Sequence, residues 1–404
     1  MTIGEEIVVA APGKVILFGE HAVVYGKTAV AASVGLRCYL VGKKTSDDTI
    51  TLCLPDLNVN YEWKIHDIPT EAFELVKKQA SIDEVLVVLE PLATEYTSSQ
   101  KTAILSFFYL YVSLVDKTAS PYGLALCVRS TLPVGAGLGS SASYSVCIAT
   151  CLLQFNGHIS TLGGNPKLDT KTAETINKWA FQAEKVIHGN PSGIDNTVST
   201  FGGAQMYTKG DIETLHKFKS LKFLLTNTKV PRDTRTLVAN VRSMRDQYPL
   251  VVDHLMEAIH GISKSCQVVF DSSASNEEIM RSIEELIDLN HQLIAATGVS
   301  HPSLERIREI TGAKGLHSKL TGAGGGGCAL TLLRDDTPKY VLEAVEKELV
   351  DAGFECYETS IGVEGVKAMP LHRPEESLQH DLINYFMDIP KERLDQLLTI
   401  PYKL

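Results

Sequence analysis

Groups able to move protons, hold a metal or meet phosphate concentrate in five short segments of the chain. The first runs from Ala11 to Gly26, where Lys14, Glu20 and His21 stand between two apolar runs and among Gly13, Gly19 and Gly26. A lysine at the mouth of a strand is costly to bury unless an anion meets it. The second is Pro133-Val134-Gly135-Ala136-Gly137-Leu138-Gly139-Ser140-Ser141-Ala142-Ser143. Glycines at alternate positions can adopt positive φ and turn their N–H groups inward, which makes a nest for anions. A helix starting at Ser140 adds free N–H groups and the positive end of its dipole. Ser140 and Ser141 contribute hydroxyls, one of which could bind Mg²⁺ as a phosphate-loop serine or threonine does. The segment is neither a Walker A loop nor a strict G-x-G-x-x-G.

The third segment runs from Leu320 to Thr331. Gly322, Gly324 and Gly327 formally match G-x-G-x-x-G, but the residues that follow read as a strand where a dinucleotide fingerprint requires a helix. Apolar strand residues abut these glycines, which argues against a flexible linker and leaves a backbone that must approach something closely. In the fourth segment a helix carrying Glu184 ends at Gly189, and a tight Pro191-Ser192-Gly193 turn presents Asp195. Two carboxylates in different surroundings suit metal binding together with proton abstraction. The fifth, Asn227 to Arg235, sets Lys229, Arg232, Arg235 and Thr234 at a strand-to-helix junction. Singly, these segments also read as a hairpin with solvated charges, a tight turn for close helix packing, or a helix stop with surface acids. Together they suit phosphoryl transfer from a Mg²⁺-bound nucleotide, where catalysis is mostly positioning and charge stabilisation.

The elements that must position these groups follow from periodicity. Strands are expected at Glu6 to Ala11, Val15 to Phe18, Thr28 to Val41 and Tyr122 to Ser130. Helical spacing runs from Thr70 to Tyr96, interrupted by Pro91, and from Thr102 to Val115. A helix of small residues spans Ser140 to Phe155, a glycine-rich loop Asn156 to Asp169, and a helix Thr172 to His188, stopped by Gly189. After a strand at Leu221 to Asn227, helices are expected at Arg235 to Gln247, Val251 to Phe270, Glu277 to Thr297, Ser303 to Thr311 and Tyr340 to Ala352. Strands Cys328 to Leu333 and Glu355 to Ile361 complete an α+β second half with helices on one face. A last helix is expected around Leu378 to Met387.

Composition bounds the rest. The 404 residues suit two or three domains, and 38 Lys and Arg against 48 Asp and Glu argue against a nucleic-acid or anionic-membrane partner. The longest apolar run, Ala103 to Val115, is short of the roughly 20 residues of a membrane span. The opening residues carry no secretory signal, and the eight scattered cysteines form no Cys-x-x-Cys pattern, as expected of buried thiols in a reducing cytoplasm.

The first, third, fourth and fifth segments resemble signatures of the GHMP small-molecule kinases, in the detail of the eukaryotic-type mevalonate kinases: Gly19-Glu20-His21-Ala22-Val23-Val24-Tyr25-Gly26, Gly189-Asn190-Pro191-Ser192-Gly193-Ile194-Asp195-Asn196, Asn227-Thr228-Lys229-Val230-Pro231-Arg232, and Lys319-Leu320-Thr321-Gly322 through Cys328. The resemblance covers about Ile7 to Gly362. It implies a two-domain α+β fold, with a ribosomal-protein-S5-like N-terminal domain (1–228), a ferredoxin-like C-terminal domain (229–375) and a helical tail (376–404). It implies ATP-dependent phosphorylation of the 5-hydroxyl of mevalonate, with ATP and Mg²⁺ as cofactors. Asp195 would be the base, Lys14 would stabilise the transferring phosphate, and Thr234 would support that pair. Ser141 and Glu184 would hold Mg²⁺; Ser130, Gly135, Ala136, Gly137, Leu138, Gly139, Ser140 and Ser141 would meet the nucleotide; Glu20, His21 and Ile187 would face mevalonate. A homodimer and inhibition by prenyl diphosphates at the ATP site are also implied. Leu54-Pro55-Asp56 departs from the family's Leu-Pro-Asn, which puts the adenine contact of that loop in doubt. Two readings stand beside this one: another GHMP enzyme such as a galactokinase, and a catalytically inactive, ligand-responsive regulator. Apolar Ala22-Val23-Val24 speaks against the former, and intact Lys14, Ser141, Glu184 and Asp195 against the latter.

Overall fold

The computed structural model describes residues 5–115, 122–133, 135–159, 168–374 and 381–398. The two apolar runs expected as separate strands form one, β1 (Glu6–Phe18), antiparallel to β2 (Ala29–Thr45). Pro12 brings no N–H to this ladder. The register shifts there: Pro12 lies opposite Arg37 and Gly13 opposite Val34, so Gly35 and Leu36 are extra residues of β2. A hairpin of β3 (Thr49–Leu54) and β4 (Val59–Lys64) follows. The expected Thr70 to Tyr96 helix is two short ones, α1 (Thr70–Lys77) and α2 (Ile82–Leu89). Gln79 at φ 57 ends the first, and a Ser81–Glu84 capping box starts the second.

The first half continues through α3 (Ser98–Leu114), β5 (Gly123–Ser130), α4 (Ser140–Phe155), α5 (Thr170–His188), α6 (Ile194–Phe201), β6 (Ala204–Thr208) and β7 (Asp211–Thr214). Of the expected Asn156 to Asp169 loop, residues 160–167 lie outside the described residues. Alternation of side chains gives the sheet two apolar faces. Val9, Ala11, Cys38 and Leu40 pack under α3, α4 and α5, whose Ile176, Ala180 and Ala183 lie on one stripe.

The second half comprises β8 (Leu221–Asn227), α7 (Thr234–Gln247), α8 (Pro249–Asp271), α9 (Asn276–Ile294), α10 (Pro302–Gly312), β9 (Ser318–Leu320), β10 (Cys328–Leu333), α11 (Lys339–Asp351), β11 (Glu355–Ile361), β12 (Lys367–Pro370) and α12 (Leu382–Asp388). Residues 378–380 of the expected last helix lie outside the described residues. One sheet runs through both halves in the order β4-β3-β5-β2-β11-β8-β10-β9, joined where Val34 pairs with Ile361. β12 returns to pair with β1. Helices cover both faces of the second half, not one as expected. Phe223, Leu225 and Leu330 cluster with Ile262, Cys266 and Ile283, while Leu224 and Ala329 cluster with Val241, Ile307 and Val345. Val8, Ala10, Tyr39 and Val41, on the second face of the first half, are covered by Leu382, Phe386, Leu394 and Leu397. All eight cysteines are free, seven of them buried. Among the described residues no helix is long and apolar enough to cross a membrane.

The glycine segment after β9 is anchored from below. His291 Nδ1 accepts the Leu320 N–H at 3.1 Å, so the ring's other nitrogen donates to Glu305 Oε1 at 2.9 Å. Burial holds this imidazole neutral, with its pKa lowered to about 4. The unfolded chain takes up that proton near pH 6.5, so stability must fall as pH drops from about 6.5 to about 4, by at most roughly 3 kcal/mol from this group. Urea titrations across that window should show the loss. They should show a shallower slope for His291→Asn, which keeps an acceptor for the Leu320 N–H without a titrating ring. Equal slopes would remove His291 as the cause.

Candidate active site

Lys14 leaves β1 just past the register shift. Its N–H donates to the carbonyl of Leu138 at 2.8 Å, which fastens the first glycine loop to the strand. That approach requires Gly13: a Cβ there would lie 2.4 Å from Leu132 Cδ2 and 2.7 Å from the Leu138 carbonyl oxygen. The carbonyl of Pro12 accepts the hydroxyls of Ser143 on α4 (2.8 Å) and Ser199 on α6 (2.7 Å). Both helices are thereby fixed beside Lys14. Gly193, in the left-handed region, starts α6 and puts Asp195 in its first turn. Lys14 Nζ and Asp195 Oδ1 stand 3.4 Å apart, the lysine side chain 12% and the aspartate 34% exposed, so the carboxylate is open to a ligand.

In the loop before α4, Gly135, Gly137 and Gly139 have φ near 72°, as their alternation predicts. Ala136 and Leu138 between them are buried in the core, which holds the glycine backbone in place. Arg232 reaches this loop from the other half, its Nη2 donating to the Ala136 carbonyl at 2.7 Å. A Cβ on Gly137 would fall 1.6 Å from that Nη2, and one on Gly327 2.4 Å from Nη1. The guanidinium thus occupies space that the two glycine loops leave open. No carboxylate lies in salt-bridge range of it among the described residues, and burial lowers its pKa. A cation in that setting calls for an anion. Beside the loop lies a cavity of about 250 Å³ whose lining includes Leu54, Asp56, Ser130, Gly135, Ser140 and Ile187.

Glu184 projects from α5 and is 3% exposed. Ser145 donates to its Oε1 at 3.0 Å, and Ser141 lies 3.4 Å from its Oε2. Ser141 Oγ also meets His188 Nε2 at 2.9 Å. Burial, helped by the charge of Asp195, pushes the Glu184 carboxyl up to about 7. A carboxylate held this way gains from a cation. Among the described residues no three His, Cys, Asp or Glu side chains group as a metal cage. The hard oxygens of Ser141 and Glu184 nevertheless fit Mg²⁺, which keeps waters and substrate phosphates as its remaining ligands.

The third glycine segment is bound to the first motif. Thr321 Oγ1 accepts the Ile16 N–H and donates to the Ile16 carbonyl. His21, at φ 56, lies 2.8 Å from the Ala323 carbonyl through Nε2, and burial lowers its pKa. Glu20 does not join the open site. Its carboxylate is buried, paired with Lys319 Nζ and bonded to Asn290 Nδ2 at 2.9 Å. Ile187 lines the cavity with Ser130 and Ser141. Thr234 is exposed at the start of α7 and makes no side-chain hydrogen bond among the described residues. Ser130 accepts the Leu132 N–H and, through its own N–H, donates to Asp56.

Sequence reasoning left four residues here without a role: Arg232, His188, Lys319 and Ser145. Serines at 143 and 145 in a helix of small residues were the available signal, since a buried hydroxyl needs a partner. Arg232 stood among the cations of the fifth segment, but nothing local showed that it alone turns inward.

The model described as GHMP kinases N terminal domain matches residues 106–203, and that described as GHMP kinases C terminal matches 274–351. The chain is 42% identical over 399 residues to mevalonate kinase of Bos taurus, covering 94% of this chain and 99% of that protein. It is 43% identical over 380 residues to that of Homo sapiens, covering 90% and 95%. Among solved structures, Methanococcus jannaschii mevalonate kinase superposes with a TM-score of 0.68 at 25% identity, covering 88% of this chain and 98% of that one. Similarity of this extent, with domain models of the family matched in both halves, places the chain in the mevalonate kinase family of GHMP kinases.

Proposed function

We propose that this chain transfers the γ-phosphoryl group of ATP to the 5-hydroxyl of (R)-mevalonate, giving 5-phosphomevalonate and ADP for isoprenoid and sterol synthesis in the cytoplasm. The observation that carries the reading is the Lys14–Asp195 pair, 3.4 Å apart beside a glycine nest, with the carboxylate open to a ligand. A primary alcohol is a poor nucleophile at neutral pH, and Asp195 is the carboxylate placed to orient it and take its proton. Lys14 supplies positive charge where the phosphoryl group moves. The N–H groups of residues 135–141 would cradle the phosphates, and Arg232, with no carboxylate partner among the described residues, would complete the cradle. Mg²⁺ would bring charge neutralisation at the phosphates, and Ser141 and Glu184 are the residues that would hold it.

The choice of mevalonate rests on the relatives, and His21 is the polar side chain we assign to that side. Glu20 we reassign to positioning and Ile187 to the wall of the cavity beside the glycine loop, which would receive the nucleoside of ATP; Thr234, in the first turn of α7, would support the Lys14–Asp195 pair. In this reading residues 1–228 supply phosphate loop, base and metal ligands, residues 229–375 close the site with Arg232 and the second glycine loop, and residues 376–404 form a tail. A prenyl diphosphate would enter the same nest and compete with ATP.

The test of this reading is ADP release by purified protein with Mg·ATP and, separately, mevalonate, phosphomevalonate, galactose and homoserine. Turnover with mevalonate alone is expected; turnover only with another acceptor would contradict it. For Arg232, removing a half-buried donor to a transferring phosphate is expected to lower kcat/KM for ATP at least about tenfold in Arg232→Gln. Gly137→Ala should show a similar loss, because its Cβ displaces the same guanidinium. The double variant should then be little worse than either single. Wild-type kcat/KM in Arg232→Gln would remove the residue from the cradle.

A further inference from the structure

We propose that the C-terminal tail braces the nucleoside cavity from outside its lining, with Lys391 setting the charge of Asp56 within that lining. The inference rests on the reading above, in which the cavity beside the glycine loop receives the nucleoside of ATP. Among the described residues, Asp56 is the one acid in that cavity's lining. Its Oδ2 accepts the N–H of Ser130 at 2.8 Å, where the chain leaves β5 for the glycine loop. Its Oδ1 accepts from Lys391 Nζ, also at 2.8 Å, across 335 residues of sequence.

The tail is held where it can deliver that lysine. Arg129, the neighbour of Ser130 on β5, is buried, and its Nη1 donates to the carbonyls of Phe386 (2.5 Å) and Ile389 (2.7 Å) at the end of α12. Phe386 and Leu394 seat the segment in the apolar face below. Arg129, the tail, Lys391, Asp56 and Ser130 therefore form a closed ring, with the cavity at one side. A triphosphate entering beside an uncompensated carboxylate is repelled, and Lys391 removes that repulsion. Such a role acts on nucleotide binding and leaves the reacting groups alone.

The pair is partly exposed, 51% for Lys391 and 23% for Asp56, so its effect is bounded. In the full chain, Lys391→Met is expected to raise KM for ATP about three- to tenfold, with kcat and KM for mevalonate unchanged. Calorimetric titration with Mg·ATP should show the same weakening independently of turnover. In an Asp56→Asn background, which keeps an acceptor for Ser130, Lys391→Met should have no further effect beyond about twofold, since no charge remains to neutralise. The proposal is overturned by unchanged ATP affinity in Lys391→Met, by equal changes in both KM values, or by an undiminished effect in the Asp56→Asn background. A wild-type chain that binds Mg·ATP but releases no ADP with mevalonate would instead fail the parent reading, and the titration would still decide the role of Lys391.

Discussion

A proline in the middle of a central strand gives up a ladder bond, and in this fold its carbonyl organises the site. The Pro12 oxygen accepts one serine hydroxyl from α4 and another from α6. The N-terminus of α4 is where the glycine loop arrives, and the first turn of α6 carries Asp195. With Lys14 two residues further along β1, one backbone carbonyl sets the mutual positions of cation, anion nest and carboxylate. The contact between the Lys14 N–H and Leu138 locks the loop to the same point. Catalytic groups held by short main-chain links of this kind need little reorganisation when a ligand arrives.

The charges around that point divide into two kinds. Lys319 and Glu20 are fully buried and satisfy one another, with Asn290 completing the carboxylate's bonds. Their pairing fixes the turn that presents His21, and removing either partner alone would strand a buried charge. Glu184 and Arg232 are different. The first is pushed up to about 7 by burial and gains from a cation; the second lies between two glycine loops with no carboxylate partner among the described residues. A nucleotide accompanied by a divalent cation brings both missing charges together.

Much of this was legible in the sequence, for identifiable reasons. Alternating glycines before two serines specify a turn and a helix start by local rules, and the observed α4 (Ser140–Phe155) begins and ends as expected. Glu184 and Asp195 were legible as acids flanking a Gly and Pro turn. The direction of Glu20 was not, because its partner lies 299 residues away and no periodicity encodes such a contact. Arg232 hides among neighbouring cations for the same reason, as does the tie between Lys391 and Asp56. Helical spacing concealed the break at Gln79, whereas the Ser81–Glu84 box that restarts the helix was available and unread. Helices on both faces of the second half reflect alternate residues of β8 and β10 that are apolar on either side.

On the proposed function, Lys14 and Asp195 act as one unit on the transferring phosphoryl group. A double-mutant cycle in kcat, at saturating ATP and mevalonate, measures this directly. Asp195→Asn keeps the shape and one acceptor oxygen but cannot take a proton, and Lys14→Met removes the charge with similar bulk. Each alone is predicted to lose at least about a hundredfold in kcat. Together they should lose no more than roughly tenfold beyond the worse single variant. Losses that simply multiply, or near-wild-type turnover in Asp195→Asn, would show that the two residues do not act as a unit on the phosphoryl group.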